Sequence, residues 1–340
     1  MRALALALCL GLAQPAGASG AELLDFDDLA GWEVDDHGAA LEAFLRSCHR
    51  LDDPEWRALC AFGAAAGPDP RAFFERFFRP VLIGGHATAL FTAYFEPELR
   101  AASAPASGFE VPAYRLPPEL AGAQTGPSRA EIDAGALSGR GLELAWLRSP
   151  AELYFLQMQG SGRLILEDGR VLRLGWGGQN GHPRRSVSAE AVRRGIVASH
   201  QASARSVRAW VRNNPEAGRQ LLHHDPSYVF FRLLPDHPAE LGPLGALDVP
   251  LTPGRSLAVD PAYSPLGAPV WVQREAGGRL MVAQDTGGAI RGPQRGDLFM
   301  GTGETGEQAA RRVRDRGRMV TLLPVELAFR AVSAPSAPGW

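Results

Sequence analysis

Hydrophobic residues at the beginning of the chain follow the spacing of helices. Between residues 36 and 62 they recur three or four positions apart, as at Leu41, Phe44 and Leu45, which is the spacing of one helix face. Segment 71–78 contains four phenylalanines and predicts a further helix with its rings in the core. The pattern therefore predicts a small group of helices before the main part of the chain.

After residue 80 the pattern changes to short runs of apolar, β-branched and aromatic residues. These runs predict strands at 82–83, 89–95, 141–147, 153–158, 164–167, 171–174, 225–234 and 319–323. The pair Asp168-Gly169 is a strong hairpin signal. Helical spacing returns at 188–199, 204–213 and 307–314. Many short strands with few helices favour a β-barrel architecture over a doubly wound sheet.

The first 18 residues have the pattern of a secretory signal peptide. Arg2 precedes an apolar run over 3–12, and Ala16-Gly17-Ala18 provides a small-residue cleavage site. We therefore expect an exported, periplasmic protein. Cys9 lies in the apolar run but follows Leu8, where a lipoprotein signal requires a small residue, so the sequence offers no convincing signal for lipid attachment.

The net charge, the cysteines and the histidines each limit what the protein can bind or form. The net charge of −2 argues against a nucleic-acid or anionic-membrane surface. Without the signal peptide, Cys48 and Cys60 remain, and in an exported protein they predict a disulfide. The eight histidines are scattered, and no set of ligands has the spacing of a metal site. We expect neither metal nor cofactor.

Three aspartates lie at or near the ends of short apolar runs in segment 255–301. They are Asp260, Asp285 and Asp297. Tight glycine turns between short strands would bring the three carboxylates together. Because like charges at close range disfavour ionisation, one carboxylate could keep its proton near neutral pH. A general acid needs that property.

Two other motifs in this part of the chain allow different interpretations. Asp285-Thr286-Gly287 matches the aspartic-protease triplet, but that chemistry needs a second triplet, which a homodimer would have to supply. Segment 301–306 matches G-x-G-x-x-G, but no repeated βαβ units surround it, so dinucleotide binding is not indicated.

Two glycine-rich segments, 157–162 and 175–182, place amides and hydroxyls beside aromatic residues. Sugar recognition uses neutral amides, hydroxyls and a stacking ring, and glycines allow a backbone to approach a flat ligand. Turns that satisfy their own backbone groups would explain these segments equally well.

Several motifs in order along the chain resemble one family. They are Tyr94-Phe95-Glu96-Pro97, Gln159-Gly160-Ser161-Gly162, Asn180-Gly181-His182, Asp225-Pro226-Ser227-Tyr228-Val229-Phe230-Phe231, 255–260 and 284–292 continuing to Asp297. Together they resemble the MltA family of membrane-bound lytic murein transglycosylases, whose members end in a three-aspartate domain. The resemblance extends from about residue 80 to about residue 325.

The resemblance implies a mainly β fold. It consists of a double-psi β-barrel with an inserted second, barrel-like β-domain and a few N-terminal helices, and a groove separates the two domains. On this basis we expect a signal peptide at 1–18, a catalytic barrel from 19–100 plus 235–332, an inserted domain at 101–234 and a tail at 333–340.

The resemblance also implies a reaction. Family members cleave the β-1,4 bond between N-acetylmuramic acid and N-acetylglucosamine in peptidoglycan and form a 1,6-anhydro sugar. Asp297 matches the residue that acts as acid and then base, and Asp285 would lie beside it. The residues expected to contact substrate are Asp260, Glu96, Tyr94, Gln159, Ser161, Asn180, His182 and Tyr228. Glu96 is also the reserve candidate for the acid.

The sequence departs from the family pattern where Arg184 replaces a typical aromatic residue and Ser188 replaces a common glycine. The resemblance implies association with the outer membrane, whereas the sequence lacks the lipid-attachment signal that would anchor the protein there. We expect a monomer that acts on glycan strands, with cell-wall synthesis or hydrolysis proteins as partners. Two alternatives remain: a hydrolase that uses water, and a non-catalytic glycan-binding module.

Overall fold

A computed structural model describes residues 20–65, 67, 69–122 and 125–333. The predicted signal peptide and nearly all of the predicted tail lie outside these residues. The strands are β1 (Ala21–Leu23), β2 (Phe78–Ile83), β3 (Ala89–Glu96), β4 (Glu98–Arg100), β5 (Val111–Tyr114), β6 (Glu143–Leu147), β7 (Gly162–Ile165), β8 (Val171–Gln179), β9 (Val229–Leu233), β10 (Ser256–Val259), β11 (Pro269–Arg274), β12 (Gly277–Thr286), β13 (Arg295–Thr302) and β14 (Arg314–Pro324). The α-helices are α1 (His37–Ser47), α2 (Pro54–Ala64), α3 (Pro70–Phe77), α4 (Arg129–Asp133), α5 (Pro150–Gln159), α6 (Val187–Arg193), α7 (Ala204–Asn213), α8 (Pro215–Leu222), α9 (Gly303–Ala310) and α10 (Val325–Ser333).

The largest sheet has the strand order β1-β2-β14-β11-β12-β10-β13-β3, and β14 also pairs with β3. Six of its strands, β3 and β10 to β14, therefore each pair with two others of the six. The β10–β12 and β13–β3 pairs are parallel, and the other four pairs of this group are antiparallel. Segments far apart in the sequence thus become neighbours in this sheet.

Helices α1 to α3 cover one side of this sheet with aromatic residues. Each begins at an aspartate whose side chain accepts a backbone N–H of the first turn, at Asp36, Asp53 and Asp69. Rings such as Phe44 and Phe74 are fully buried against strand residues of the sheet. A disulfide between Cys48 and Cys60 joins the end of α1 to α2, as the sequence predicts.

Residues between β3 and β10 form a second structural region. Strands β4, β7, β8 and β9 make a four-stranded sheet, and β5 pairs with β6. The β7–β8 hairpin turns at Asp168-Gly169, where it was predicted. Helices α5 to α8 share a separate apolar cluster beside this sheet. This second region lies opposite the ends of β10 and β12.

The chain is a mixed fold, so the prediction of a mainly β protein was wrong. Helix and strand have similar shares of the described residues. Segment 153–158, predicted as a strand, belongs to α5, which begins after the N-cap Ser149 and ends at Gly160 in a left-handed conformation. This helix buries residues on most of its sides, so its sequence lacks the amphipathic period by which helices are recognised. In the described part of the chain, no helix is both long and apolar enough to cross a membrane.

Candidate active site

Two of the three aspartates lie on either side of strand β10. Ala258 of β10 is the register partner of Asp285 in β12 and of Asp297 in β13. Neighbouring strands are about 4.8 Å apart, so the backbones of the two aspartates are separated by about 10 Å. The register of three strands therefore produces the carboxylate pair.

Three hydrogen bonds hold the carboxylate of Asp285. The Tyr94 hydroxyl donates to Oδ2 at 2.6 Å, and the backbone N–H groups of Ala246 and Thr286 donate to Oδ1 at 3.0 and 2.9 Å. The pKa of Asp285 is raised to about 6, mainly by burial and also by the nearby charge of Asp297, while the three hydrogen bonds act in the opposite direction. Both oxygens of Asp285 are engaged by protein donors.

Asp297 has a different environment. Its Oδ1 accepts a hydrogen bond from the hydroxyl of Thr92, its register partner on β3. Arg295 donates from Nη2 to that hydroxyl at 2.8 Å. Burial raises the pKa of Asp297, partly offset by the Thr92 hydrogen bond and the charge of Arg295. Among the described residues, no donor lies at Oδ2 of Asp297, so this oxygen is available to a ligand.

Asp260 does not belong to the carboxylate pair of Asp285 and Asp297. It lies beyond the end of β10 and is buried. Its carboxylate accepts backbone N–H groups from Ala262 at 3.2 Å and from Gly292 at 2.8 Å. The expectation that Asp260 binds substrate is therefore corrected, because both of its oxygens connect its own turn to the loop that follows β12.

A cavity of about 1010 Å³ opens beside Asp285, at the upper end of the usual size of ligand sites. Among the residues named from the sequence, Gln159, Ser161 and Asp285 line it. Asp297 and Tyr94 are partly exposed but do not belong to its lining. The cavity thus approaches the carboxylate pair from the side of Asp285.

Trp176 is a lining residue that was not on the list of expected substrate contacts. Its side chain is 56% exposed although it is large and apolar. The β8–β9 register shifts between Trp176 and Gly178, and a Cβ added at Gly177 would lie 2.7 Å from the backbone of Phe231. The irregularity leaves the ring facing the cavity, and the glycine-rich composition of 175–182 was its signal in the sequence.

Comparison with known proteins identifies the family. The profile described as the MltA specific insert domain matches residues 90–232, and the 3D domain profile matches residues 255–323. The membrane-bound lytic murein transglycosylase A of Vibrio cholerae is 31% identical over 268 residues, which cover 74% of this chain and 70% of that protein. The chain belongs to the MltA family.

Solved structures agree with this membership. A crystal structure of a membrane-bound lytic murein transglycosylase from Agrobacterium tumefaciens has a TM-score of 0.80 at 31% identity and covers 92% of this chain and 99% of its own. A structure of Escherichia coli MltA with bound chitohexaose has a TM-score of 0.70 at 29% identity, with coverage of 85% and 90%. These MltA structures share the fold of this chain.

Glu96 is not a groove carboxylate in this MltA-family chain. It is almost fully buried, with Arg163 Nε at 2.9 Å from Oε2 and Arg173 Nη2 at 2.9 Å from Oε1. The Thr302 hydroxyl also donates to Oε2 at 2.9 Å. Because the two arginines hold both oxygens away from solvent, the structure contradicts substrate binding and the reserve role as acid.

The structure also assigns Asn180, His182 and Tyr228 to the support of loops. The buried Asn180 amide donates to the carbonyls of Pro127 and Pro226 at 2.9 Å, and its oxygen accepts the N–H of Tyr228 at 2.8 Å. Neither Asn180 nor the fully buried Tyr228 lines the cavity. His182 Nε2 lies 2.9 Å from the carbonyl oxygen of Gly126. Because Asn180 and Tyr228 are buried and lie outside the cavity lining, the expected substrate contacts are corrected for these two, whereas the contact expected for His182 stays a prediction.

Proposed function

We propose that this chain, a peptidoglycan lytic transglycosylase of the MltA family, cleaves the β-1,4 bond between N-acetylmuramic acid and N-acetylglucosamine with Asp297 as its single acid and base. The names of the MltA relatives support the reaction class. One observation carries the residue assignment: Asp297 combines a raised pKa with an oxygen that accepts no hydrogen bond from the described protein residues.

The proposed reaction needs one carboxyl group and no water. Protonated Asp297 donates its proton to the glycosidic oxygen, and the bond to the anomeric carbon breaks. The 6-hydroxyl of the same muramic acid attacks that carbon and forms the 1,6-anhydro ring. The carboxylate of Asp297 then accepts the hydroxyl proton. Intramolecular attack in a favourable orientation has an effective molarity of about 10⁵ M or more, so a second base is not required.

Asp285 supports the acid in this scheme. Three donors engage its oxygens, so it is poorly placed to deliver a proton to substrate. When Asp285 is ionised, its negative charge disfavours ionisation of Asp297 and helps Asp297 to keep its proton. The proposed role of Asp285 is thus electrostatic and depends on its carboxylate form.

The acidic residues of the cavity favour this reaction over hydrolysis. The described lining contains two carboxylates, Asp248 and Asp285. Asp248 forms ion pairs with Arg50 and with Arg232, the latter at 2.5 Å. An inverting hydrolase needs a carboxylate available to activate water opposite its acid, and both cavity carboxylates are engaged by protein groups.

We further propose that β3 and β10 to β14 form the double-psi β-barrel that the family resemblance implies. The pairing of β3 with β14 supports this proposal because it connects the two ends of the six-strand series. Residues 19–100 plus 235–332 would form the catalytic domain, and 101–234 the inserted domain. The cavity supports a groove between them, since Trp176 and Asp285 line it from the two regions.

We also propose that the protein acts in the periplasm. The N-terminal pattern supports export to the periplasm. The relatives are named membrane-bound lytic murein transglycosylases, which supports association with a membrane. Glycan strands are the proposed partner. We also propose that the protein is a monomer and that cell-wall synthesis or hydrolysis proteins recruit it.

Product analysis of the Asp297→Asn variant tests the function. Wild type should release anhydro products from isolated sacculi, recognised by a mass lower by one water than that of hydrolysis products. Asp297→Asn should lose about 10²-fold or more of the rate, because it removes a positioned acid. Asp236→Asn changes an exposed carboxylate outside the cavity and serves as the control. More than about a tenth of wild-type activity in Asp297→Asn, or hydrolysis products from wild type, would contradict the proposal.

A further inference from the structure

The cavity lining carries positive charge that cleavage of an uncharged glycan would not require. Its lining includes four arginines, Arg115, Arg184, Arg232 and Arg291. Arg232 is paired with Asp248. Within the described part of the chain, Arg115 and Arg291 are exposed and have no acidic side chain within ion-pair distance. The cavity therefore offers positive charge to a ligand.

Arg184 is held in place without losing its hydrogen-bonding capacity. Its Nε lies 3.8 Å from Oδ2 of the buried Asp225, which is within ion-pair range but too long for a hydrogen bond. The oxygens of Asp225 instead accept from the backbone N–H groups of Arg185 and Ser227 at 3.1 and 3.2 Å and from the Tyr154 hydroxyl at 3.1 Å. A guanidinium carries five N–H donors, so Arg184 is anchored by charge and retains donors for a ligand.

The side chain of Arg184 lies beside the loop that follows β12. A Cβ added at Gly288 would lie 3.6 Å from Cδ of Arg184, and Gly288 follows Asp285 by three residues. Arg184 belongs to the loop between β8 and α6, whereas Gly288 follows β12. The side chain of Arg184 thus approaches the loop that follows Asp285 from the second structural region.

We propose that Arg184, together with Arg291 and Arg115, binds a carboxylate carried by the muramic acid unit. The carboxylate of the muramic acid unit would then determine which substrates the enzyme prefers. The inference rests on the proposed function. Glycans of N-acetylglucosamine alone are uncharged, whereas muramic acid bears a lactyl ether that ends in a carboxyl group. That group is a free carboxylate in strands without peptide. In intact strands it is an amide to a stem peptide that has carboxylates of its own. A planar guanidinium matches a carboxylate in geometry as well as in charge.

Three substrates that differ in charge test the proposal. All are alternating glycan strands: the first has free lactyl carboxylates, the second has these groups capped as methylamides, and the third has stem peptides. Wild type should cleave at least one of the charged strands with a kcat/KM about tenfold above that of the capped strand, because charge-assisted hydrogen bonds have this magnitude. A preference for the first strand identifies the lactyl carboxylate as the ligand, and a preference for the third identifies peptide carboxylates.

The arginine variants assign this preference to the cavity. In Arg184→Gln, the ratio of kcat/KM on the charged strand to kcat/KM on the capped strand should fall to between about one and three. Arg184→Lys should recover part of the wild-type ratio. Arg170→Gln is the matched control, since Arg170 lies exposed on the β7–β8 turn, outside the cavity lining, and should retain the ratio. If Arg184→Gln fails to fold, Arg291→Gln provides the test and should also lower the ratio.

Two results have different consequences. Equal kcat/KM on all three strands, with anhydro products from each, would overturn the proposal about arginine and leave the transglycosylase function intact. Absence of anhydro products from every strand would instead refute the proposed function. A wild-type preference that persists in both Arg184→Gln and Arg291→Gln would also overturn the assignment of the preference to these arginines.

Discussion

The Tyr94 hydroxyl donates to Asp285 Oδ2 at 2.6 Å, although the two residues are 191 positions apart in the chain. Tyr94 lies on β3 and Asp285 at the end of β12, and β13 and β10 lie between them in the strand order. The bond therefore connects strands that are not neighbours. Because Tyr94 donates to the ionised form of Asp285, it opposes the burial that mainly raises the pKa of Asp285 to about 6.

Tyr94→Phe should move the acid side of the pH–activity profile to higher pH. Asp285 acts as a carboxylate in the proposed mechanism, so kcat/KM of wild type should fall as the pH decreases through about 6. Removal of the hydroxyl donor raises the pKa of Asp285 further. The profile of kcat/KM measures the shift, and Tyr263→Phe, outside the cavity lining, is the control. An acid limb at the same pH in Tyr94→Phe and wild type would contradict this role.

Glu96→Gln should destabilise the fold. The change leaves Arg163 and Arg173 without their buried counter-charge. Removal of one partner from such a pair costs about 3–5 kcal/mol. Urea denaturation measures the free energy of unfolding. Glu119→Gln, which removes an exposed partner of Arg140, should have little effect.

Activity separates this structural role of Glu96 from a catalytic one. The fraction of Glu96→Gln that remains folded at low temperature should cleave glycan at a rate close to that of wild type. A stable variant that has lost activity would show that Glu96 has a direct part in the reaction.

Trp176→Ala should weaken glycan binding. The exposed ring lines the cavity and can cover an apolar sugar face, so its loss should raise the dissociation constant about tenfold. Calorimetry with an N-acetylglucosamine oligomer on the Asp297→Asn background measures binding without turnover. Phe62→Ala removes a similarly exposed ring outside the cavity and is the control. Equal losses in both variants would argue against stacking on Trp176.

Removal of the Cys48–Cys60 disulfide should lower stability. The bond closes a short loop between α1 and α2, and cross-links of this length contribute about 2–4 kcal/mol, mainly by restricting the unfolded chain. The Cys48→Ser/Cys60→Ser variant should unfold at lower urea concentration than wild type. Wild type in reducing buffer should behave like the variant. An unchanged midpoint in both cases would indicate that the helices are held by their aromatic packing alone.

Site residues differ in how far the sequence could predict them. The motifs predict Asp285, Gln159 and Ser161 as site residues, and these three line the cavity. The motifs also predict Glu96 and Asn180, but these residues are buried and paired within the protein. A motif fixes the residue type, whereas burial depends on which distant segments cover it. Polar residues kept for structural support and polar residues kept for substrate therefore look alike in a sequence.

By itself, the sequence determined the local features and the family. Aspartate caps began the N-terminal helices, Asp168-Gly169 made the hairpin turn, and the order of the motifs indicated the MltA family. Tertiary structure alone decided that Asp285 and Asp297 flank one strand and that Asp260 holds a loop. Local features follow from neighbouring residues, whereas strand register and burial follow from packing between distant segments, which a linear pattern does not contain.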